Sequence, residues 1–274
     1  MWVAVAGSTP FVIYSYDAIV WNNATLYGLN FDLNLQVVVF GKTQYSRTWV
    51  AGGLSPQITL IYSIDGLNWV GASSPRFSVT DIEFNGSLWV AVGTGVNGVA
   101  MIVLSYDGIH WTEVLSPTVI TIFSGYSNSI NTIFWNNSQN QWIASGTQNT
   151  NATIMATSSD AVTWTAVVSD FPLLIVSMAG SETGIIATGS TITIPANQWF
   201  AIKASNTSPS DWNTISVSNQ TVENGNVIVF NNSLQLWVIC SYTGVNVISY
   251  SNDDGVSWES SSVTGQFSSI ATVV

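Results

Sequence analysis

Ser105-Tyr106-Asp107-Gly108-Ile109-His110-Trp111 is the stretch from which the fold can be read, because the chain repeats it. Related copies are Ser15-Tyr16-Asp17-Ala18-Ile19-Val20-Trp21, Ser63-Ile64-Asp65-Gly66-Leu67-Asn68-Trp69, Ser158-Ser159-Asp160-Ala161-Val162-Thr163-Trp164 and Ser251-Asn252-Asp253-Asp254-Gly255-Val256-Ser257-Trp258. A degraded copy runs from Ser205 to Asp211-Trp212 and contains Pro209. Successive first serines lie roughly 42 to 53 residues apart, the repeat length of propeller blades. Units of this size fill all 274 residues, so one domain over 1–274 is expected rather than two.

Working outward from the turn, each unit parses as four short strands. In the third unit these are Asp81–Phe84, Leu88–Val92, Ala100–Leu104 and His110–Val114, with Asn85-Gly86 and Asp107-Gly108 at turns. Asn-Gly and Asp-Gly accept the positive φ that tight hairpin turns demand, and the strands are rich in β-branched and aromatic residues. No segment carries a convincing helical period. The chain opens on a second strand at Trp2 and closes on a first strand at Ser269–Val274. The expected fold class is therefore all-β: a single six-bladed β-propeller of four-stranded antiparallel blades, its ring closed by the C-terminal strand joining the N-terminal blade.

The turn resembles the Asp-box, Ser-x-Asp-x-Gly-x-x-Trp, of the sialidase-like (BNR) propeller superfamily. Ser251, Asp253, Gly255 and Trp258 match it in full. Ser63, Asp65, Gly66, Trp69 and Ser105, Asp107, Gly108, Trp111 match it in a turn one residue shorter. Ser15, Asp17, Trp21 and Ser158, Asp160, Trp164 replace the glycine by alanine. The resemblance implies that these turns join the third and fourth strands at the periphery, away from an active site. Their carboxylate and hydroxyl oxygens then fix the turn and the Trp packs between blades, a structural role. One carboxylate per blade gives no converging cluster, so no metal is expected.

The family's catalytic set is missing. Sialidases are similar to one another in clamping a substrate carboxylate with three arginines, and this chain has only Arg47 and Arg76, with Lys42 and Lys203 as poor substitutes for guanidinium forks. Sialidase activity is excluded on that ground. Other glycoside hydrolysis needs two carboxylates about 5 to 10 Å apart. Asp81 and Glu83 share one face of a first strand, which lines the channel of a propeller, and are the best pair on offer. His110, the sole histidine, sits inside a peripheral turn, and Cys240 lies in the apolar run Leu236–Cys240. Neither suits nucleophilic catalysis. No phosphate loop, metal spacing or dinucleotide fingerprint is present, and no cofactor is expected.

With 4 Lys+Arg against 15 Asp+Glu the chain carries a net charge of −11, which argues against nucleic acid and anionic membranes as partners; no membrane insertion is expected. The leading expectation is a non-catalytic structural or recognition module, extracellular or on a virion or cell surface and possibly part of a larger surface assembly. It would bind a protein or glycan partner through the face carrying the 2–3 and 4–1 loops. Tyr27, Phe31, Arg76, Phe77, Tyr126 and Trp199 are the candidate ligand residues on that face. A carbohydrate-binding propeller is the second reading, and a glycoside hydrolase-like enzyme using Asp81 and Glu83 the third.

Overall fold

The computed structural model describes residues 1–7, 11–17, 19–29, 33–54, 59–123, 129–147, 153–167, 173–191, 199–205, 208–215, 225–241 and 248–261. It is a six-bladed β-propeller, a ring of antiparallel sheets. Blade III, strands Phe77–Phe84, Trp89–Gly95, Ala100–Ser105 and Thr112–Glu113, shows the pattern of strict sequential pairing. Blades II, IV, V and VI begin with the first strands Asn34–Lys42, Ser129–Asn136, Leu173–Gly180 and Gly225–Asn231. Blade I holds three described strands, Trp2–Val5, Val12–Ser15 and Asn22–Asn23. The closing strand expected at Ser269–Val274 lies outside the described residues.

Outside blade I the second strands are largely buried on both faces and alternate small and β-branched residues, as in Trp89-Val90-Ala91-Val92. Neighbouring blades thereby share apolar cores. Val50, Leu60, Val79, Ile82 and Trp89 pack between blades II and III, and Ile143, Met155, Ile175 and Ile202 between blades IV and V. The second-strand Trp of blades II, III, IV and VI is also stacked on an aromatic across the first hairpin: Phe40 on Trp49, Phe84 on Trp89, Trp135 on Trp142 and Phe230 on Trp237, with centroids 4.5 to 4.8 Å apart.

The Ser-Asp turns are built alike. In blade II, Ser63 Oγ donates to Asp65 Oδ1 at 2.9 Å and accepts from the Gly66 N–H at 2.8 Å. Asp65 Oδ1 takes the N–H groups of Leu67 and Asn68, both at 2.8 Å. The Trp69 indole N–H then donates to the Gly66 carbonyl at 3.1 Å. Gly66, Gly108 and Gly255 have φ of 76°, 76° and 78°, and Ala161 occupies the same left-handed region at 60°. Glycine takes this conformation without penalty, whereas a side chain costs about 1–2 kcal/mol. Trp69, Trp111, Trp164 and Trp258 are buried as expected, but Trp21 is 40% exposed, so the first turn does not pin a blade through its Trp.

These hydrogen bonds favour the ionised carboxylate. Asp17 and Asp160 are lowered chiefly by backbone donors, from Val20 and Thr163 respectively. In Asp65 and Asp107 partial burial pulls the other way and is outweighed, by Asn68 and Leu67 for the first and by His110 and Ile109 for the second. Asp253 falls to about 2 mainly through the Ser257 hydroxyl and N–H. A carboxylate depressed on folding stabilises the fold above its unfolded value near 3.8, and that contribution disappears as pH falls through about 2. Unfolding by denaturant at a series of pH values should therefore show stability dropping between pH 4 and about 2, with a shallower drop in Asp65→Asn.

Three features depart from expectation. The degraded fifth turn is replaced by direct pairing of Ser205 with Ser208, and Asp211 and Trp212 fall inside the strand Ser208–Ile215. Trp212 is buried, yet its indole N–H has no partner among the described residues, because the carbonyl that serves the other turn tryptophans is lost with the turn. A buried donor left unpaired costs about 1–3 kcal/mol. Trp164→Phe, which deletes the bond to the Ala161 carbonyl, should accordingly lower stability by about 1 kcal/mol more than Trp212→Phe in equilibrium unfolding.

Second, a short helix, Pro117–Ile122, stands where a loop is expected. Pro117 opens it, and Val119 and the following Phe123 bury into the core between blades III and IV, so packing rather than periodicity makes it. Third, segments leaving one blade strap the next. Thr25–Leu26 pairs in parallel with Asn68–Trp69, and Ser73 bridges His110, its carbonyl accepting from the Trp111 N–H at 2.8 Å. Thr118 Oγ1 accepts from the Trp164 N–H at 3.3 Å. The outer edges of blades II and III, open in an isolated blade, are thus partly covered.

Candidate functional site

A propeller blade leaves the outer edge of its first strand facing the channel, and every such strand described in full here carries a bulge at one register. The shifts fall between Leu35 and Val37, around Thr80, and between Ile130 and Thr132, Ile175 and Ser177, and Gly225 and Val227. The residues just past the bulge are Val37, Asp81, Thr132, Ser177 and Val227, and two positions further on come Val39, Glu83, Phe134, Ala179 and Val229. Asp81 and Glu83 are the only acids in either set.

Asp81 reaches from blade III to blade IV. Its Oδ2 accepts from Thr132 Oγ1 at 2.8 Å and from the Ile133 N–H at 3.0 Å, and its Oδ1 from the Ile82 N–H at 2.9 Å. Thr80 beside it donates to the carbonyls of Val92 and Ile130, so the edge of the next first strand is tied through side chains. Blade V makes the same tie with a hydroxyl: Ser177 Oγ accepts from the Ile228 N–H at 3.2 Å. The tie therefore needs only a serine. A carboxylate at Asp81 exceeds what the architecture requires.

Glu83 exceeds it further. The other described first strands place apolar or small residues at this position, and no described residue hydrogen-bonds the Glu83 carboxyl. Both acids are walled in by neighbouring strands and keep part of their surface open. Burial raises Glu83 to about 8, helped by the charge of Asp81, while burial raises Asp81 to about 6 against the pull of Ile133, Thr132 and Ile82. Glu83, which has no hydrogen bond to offset burial, therefore holds its proton more tightly than Asp81. Residues two apart on a strand are about 6.5 Å apart along it. Two carboxyls at this spacing, with affinities for protons pushed apart, can give a proton at one point and take one at another.

The pair lies near the 1–2 turn end of its blade, since Glu83 is one residue from the end of its strand. The nominated ligand face is at the other end. There Tyr27 and Arg76 are exposed, but Phe77 is buried in the core between blades II and III and can stack on nothing outside. Trp199 opens the third strand of blade V. Phe31 and Tyr126 lie outside the described residues.

His110 is exposed in its turn, with Nδ1 2.8 Å from Asp107 Oδ2. Cys240 is buried and its thiol is pushed up to about 11 by burial, so it is unreactive near neutral pH. Among the described residues no group of three His, Cys, Asp or Glu gathers, and no helix is long and apolar enough to cross a membrane.

One polar cluster was invisible in the repeat pattern. Asp254, at φ 62°, turns towards blade V, where Lys203 Nζ lies 2.7 Å from its Oδ2, Thr183 Oγ1 donates to Oδ2, and Ser181 Oγ donates to Oδ1 at 3.2 Å. The Trp237 indole N–H, from blade VI, donates to Oδ1 at 3.3 Å. Burial opposes ionisation of Asp254, but these partners outweigh it and keep it a carboxylate. The cluster fastens blades V and VI together. Only the extra residue that lengthens the sixth turn could have flagged it.

Fold and site together define a six-bladed propeller with an acid pair on the first strand of blade III, against blade IV. Solved structures share the ring. A triple arginine-to-alanine mutant of AofleA from Arthrobotrys oligospora aligns over 93% of this chain and 80% of its own, at TM-score 0.61 and 13% identity. The GH43 endo-arabinanase from Bacillus licheniformis aligns over 69% and 77%, at TM-score 0.44 and 15% identity. The arabinanase Arb43A of Bacillus subtilis aligns over 67% and 75%, at TM-score 0.42 and 15% identity. No family model and no curated protein matches the sequence.

The expectation of a non-catalytic module without enzymatic activity is corrected at this point. Solved structures that align with this chain include a GH43 endo-arabinanase and the arabinanase Arb43A. These alignments concern the fold alone.

Proposed function

We propose that the chain is a glycoside hydrolase-like propeller in which Glu83 is the proton donor and Asp81 its carboxylate partner. The observation that carries the reading is the mismatch between these two positions and their equivalents. The same bulge is tied by serine in blade V, and the residue two further on is valine, phenylalanine or alanine elsewhere. Burying a carboxyl where the fold asks for a methyl group costs stability, and such costs collect at working sites.

The chemistry follows from the proton distribution. Glu83 passes its proton to the glycosidic oxygen as the bond from that oxygen to the anomeric carbon breaks. Asp81 has about four lone-pair sites, three of them occupied by Thr132, Ile133 and Ile82. The remaining one, on Oδ1, accepts a proton from the water that attacks the anomeric carbon. Glu83 is left ionised and Asp81 protonated, and exchange with solvent through the channel restores both.

That the ring belongs with the Asp-box propellers is part of the same proposal. The support is the common turn built by Ser15 and Asp17, Ser63 and Asp65, Ser105 and Asp107, Ser158 and Asp160, and Ser251 and Asp253. Release of aglycone from a panel of aryl glycosides by the wild type, and its loss in Glu83→Gln, tests the function. A full panel without turnover would reject it.

A further inference from the structure

The 1–2 turn of blade II differs from its counterparts as Asp81 and Glu83 differ from theirs. It reads Lys42-Thr43-Gln44-Tyr45-Ser46-Arg47 and contains two of the chain's four basic residues. Lys42 and Arg47 are paired directly across the hairpin, and both are exposed. Like charges facing each other across a hairpin destabilise it. Neither is ion-paired to a described carboxylate, whereas Lys203 is, to Asp254. The turn itself needs no cation. Asn85, Asn136 and Asn231 close the equivalent turns of blades III, IV and VI by accepting backbone N–H groups on Oδ1.

The tip is rigid and presents an aromatic ring. Thr43 Oγ1 accepts from the N–H groups of Tyr45 and Ser46 at 3.1 and 3.0 Å, and the Thr43 N–H donates to the Ser46 carbonyl at 2.9 Å. Tyr45 is 89% exposed at its apex. The position is also specific. Lys42 lies five residues past the bulge of its first strand, while Glu83 lies two past the bulge of the next one. Along the strand direction the cationic tip therefore stands about 10 Å beyond Glu83, on the face of the ring that carries the 1–2 turns. An oligosaccharide spans that separation; a single sugar does not.

We infer that Lys42, Tyr45 and Arg47 form a subsite for an acidic polysaccharide, taking a carboxylate- or sulfate-bearing sugar while a neighbouring unit enters the channel. The guanidinium fork of Arg47 matches a carboxylate or sulfate, Lys42 adds a second point charge, and the Tyr45 ring offers a face for the sugar. On a chain of net charge −11 an anionic ligand is repelled elsewhere, so this tip is where it can be held. The entry of a neighbouring unit into the channel rests on the hydrolase reading; the binding of the acidic sugar does not.

The test uses Glu83→Gln to prevent turnover and measures binding of polygalacturonate, dextran sulfate and neutral dextran by calorimetry, with and without Lys42→Ala plus Arg47→Ala. Expected is binding of one or both acidic polymers, weakened about tenfold or more by the double substitution, and no comparable binding of dextran. Preference for polygalacturonate identifies the group as carboxylate, preference for dextran sulfate as sulfate. The substituted tip should fold normally, since a repulsion is removed. Equal binding of neutral and acidic polymers, or no effect of the double substitution, overturns the inference. Acidic binding by this tip without hydrolysis by the wild type would leave the subsite standing and reject the hydrolase; hydrolysis of neutral glycosides without acidic binding would do the reverse.

Discussion

Glu83→Gln is expected to lower kcat/KM on a responsive aryl glycoside by about 100- to 10,000-fold, the usual contribution of a positioned proton donor. Wild-type activity should fall below about pH 6, where Asp81 takes up a proton, and above about pH 8, where Glu83 loses its own. Asp81→Ser should abolish activity while keeping the fold, because serine makes the same inter-blade tie at Ser177. Glu83→Val should be inactive and more stable than wild type. A carboxyl raised on folding weakens the fold as pH climbs from its ordinary value near 4.5 towards about 8, and valine, already present at Val39 and Val229, has nothing to ionise. The gain at pH 8 should be on the order of 1 kcal/mol in chemical unfolding, in keeping with the stability commonly given up at active sites. A Glu83→Val variant that is both active and less stable would show that the residue serves the fold.

Trp69→Ala should be among the most damaging changes to stability, at about 3–5 kcal/mol. The ring is 0% exposed, sits in the core shared by blades I and II, and its loss also strands the Gly66 carbonyl. Trp21→Ala removes the same residue from the same place in the repeat and should cost less than about 1 kcal/mol, since Trp21 is half out in solvent. Comparing the two by denaturant unfolding separates the turn as a motif from the turn as a packing device. Similar losses would mean that burial does not set the role of the turn Trp.

The ring was legible because its signals are local and repeated. A serine, an aspartate and a tryptophan at fixed spacing place a turn, and turns at regular intervals place blades. The helix Pro117–Ile122 was not, because it is one turn and a half held by the burial of Val119 and Phe123, which no periodicity announces. The strand Thr25–Leu26 has no signal of its own, because a parallel strap depends on the neighbouring blade rather than on local sequence.

Asp81 and Glu83 are legible in the sequence by position but not by environment. What separates them from ordinary channel-lining charges is the comparison with Thr132, Ser177 and Ala179, and that requires the bulge register, which only the paired strands reveal. Phe77 failed as a ligand residue for a related reason: one step of register decides whether a strand's first side chain points to solvent or core.

Carboxyl-carbon NMR titration of Glu83 and Asp81, assigned through Glu83→Gln and Asp81→Ser, tests the central claim most directly. Glu83 is expected to titrate near 8, well above the ordinary 4.5, and to move down when Asp81 is replaced, because part of the shift is the repulsion between them. A Glu83 that titrates near 4.5 and is indifferent to Asp81 would contradict it.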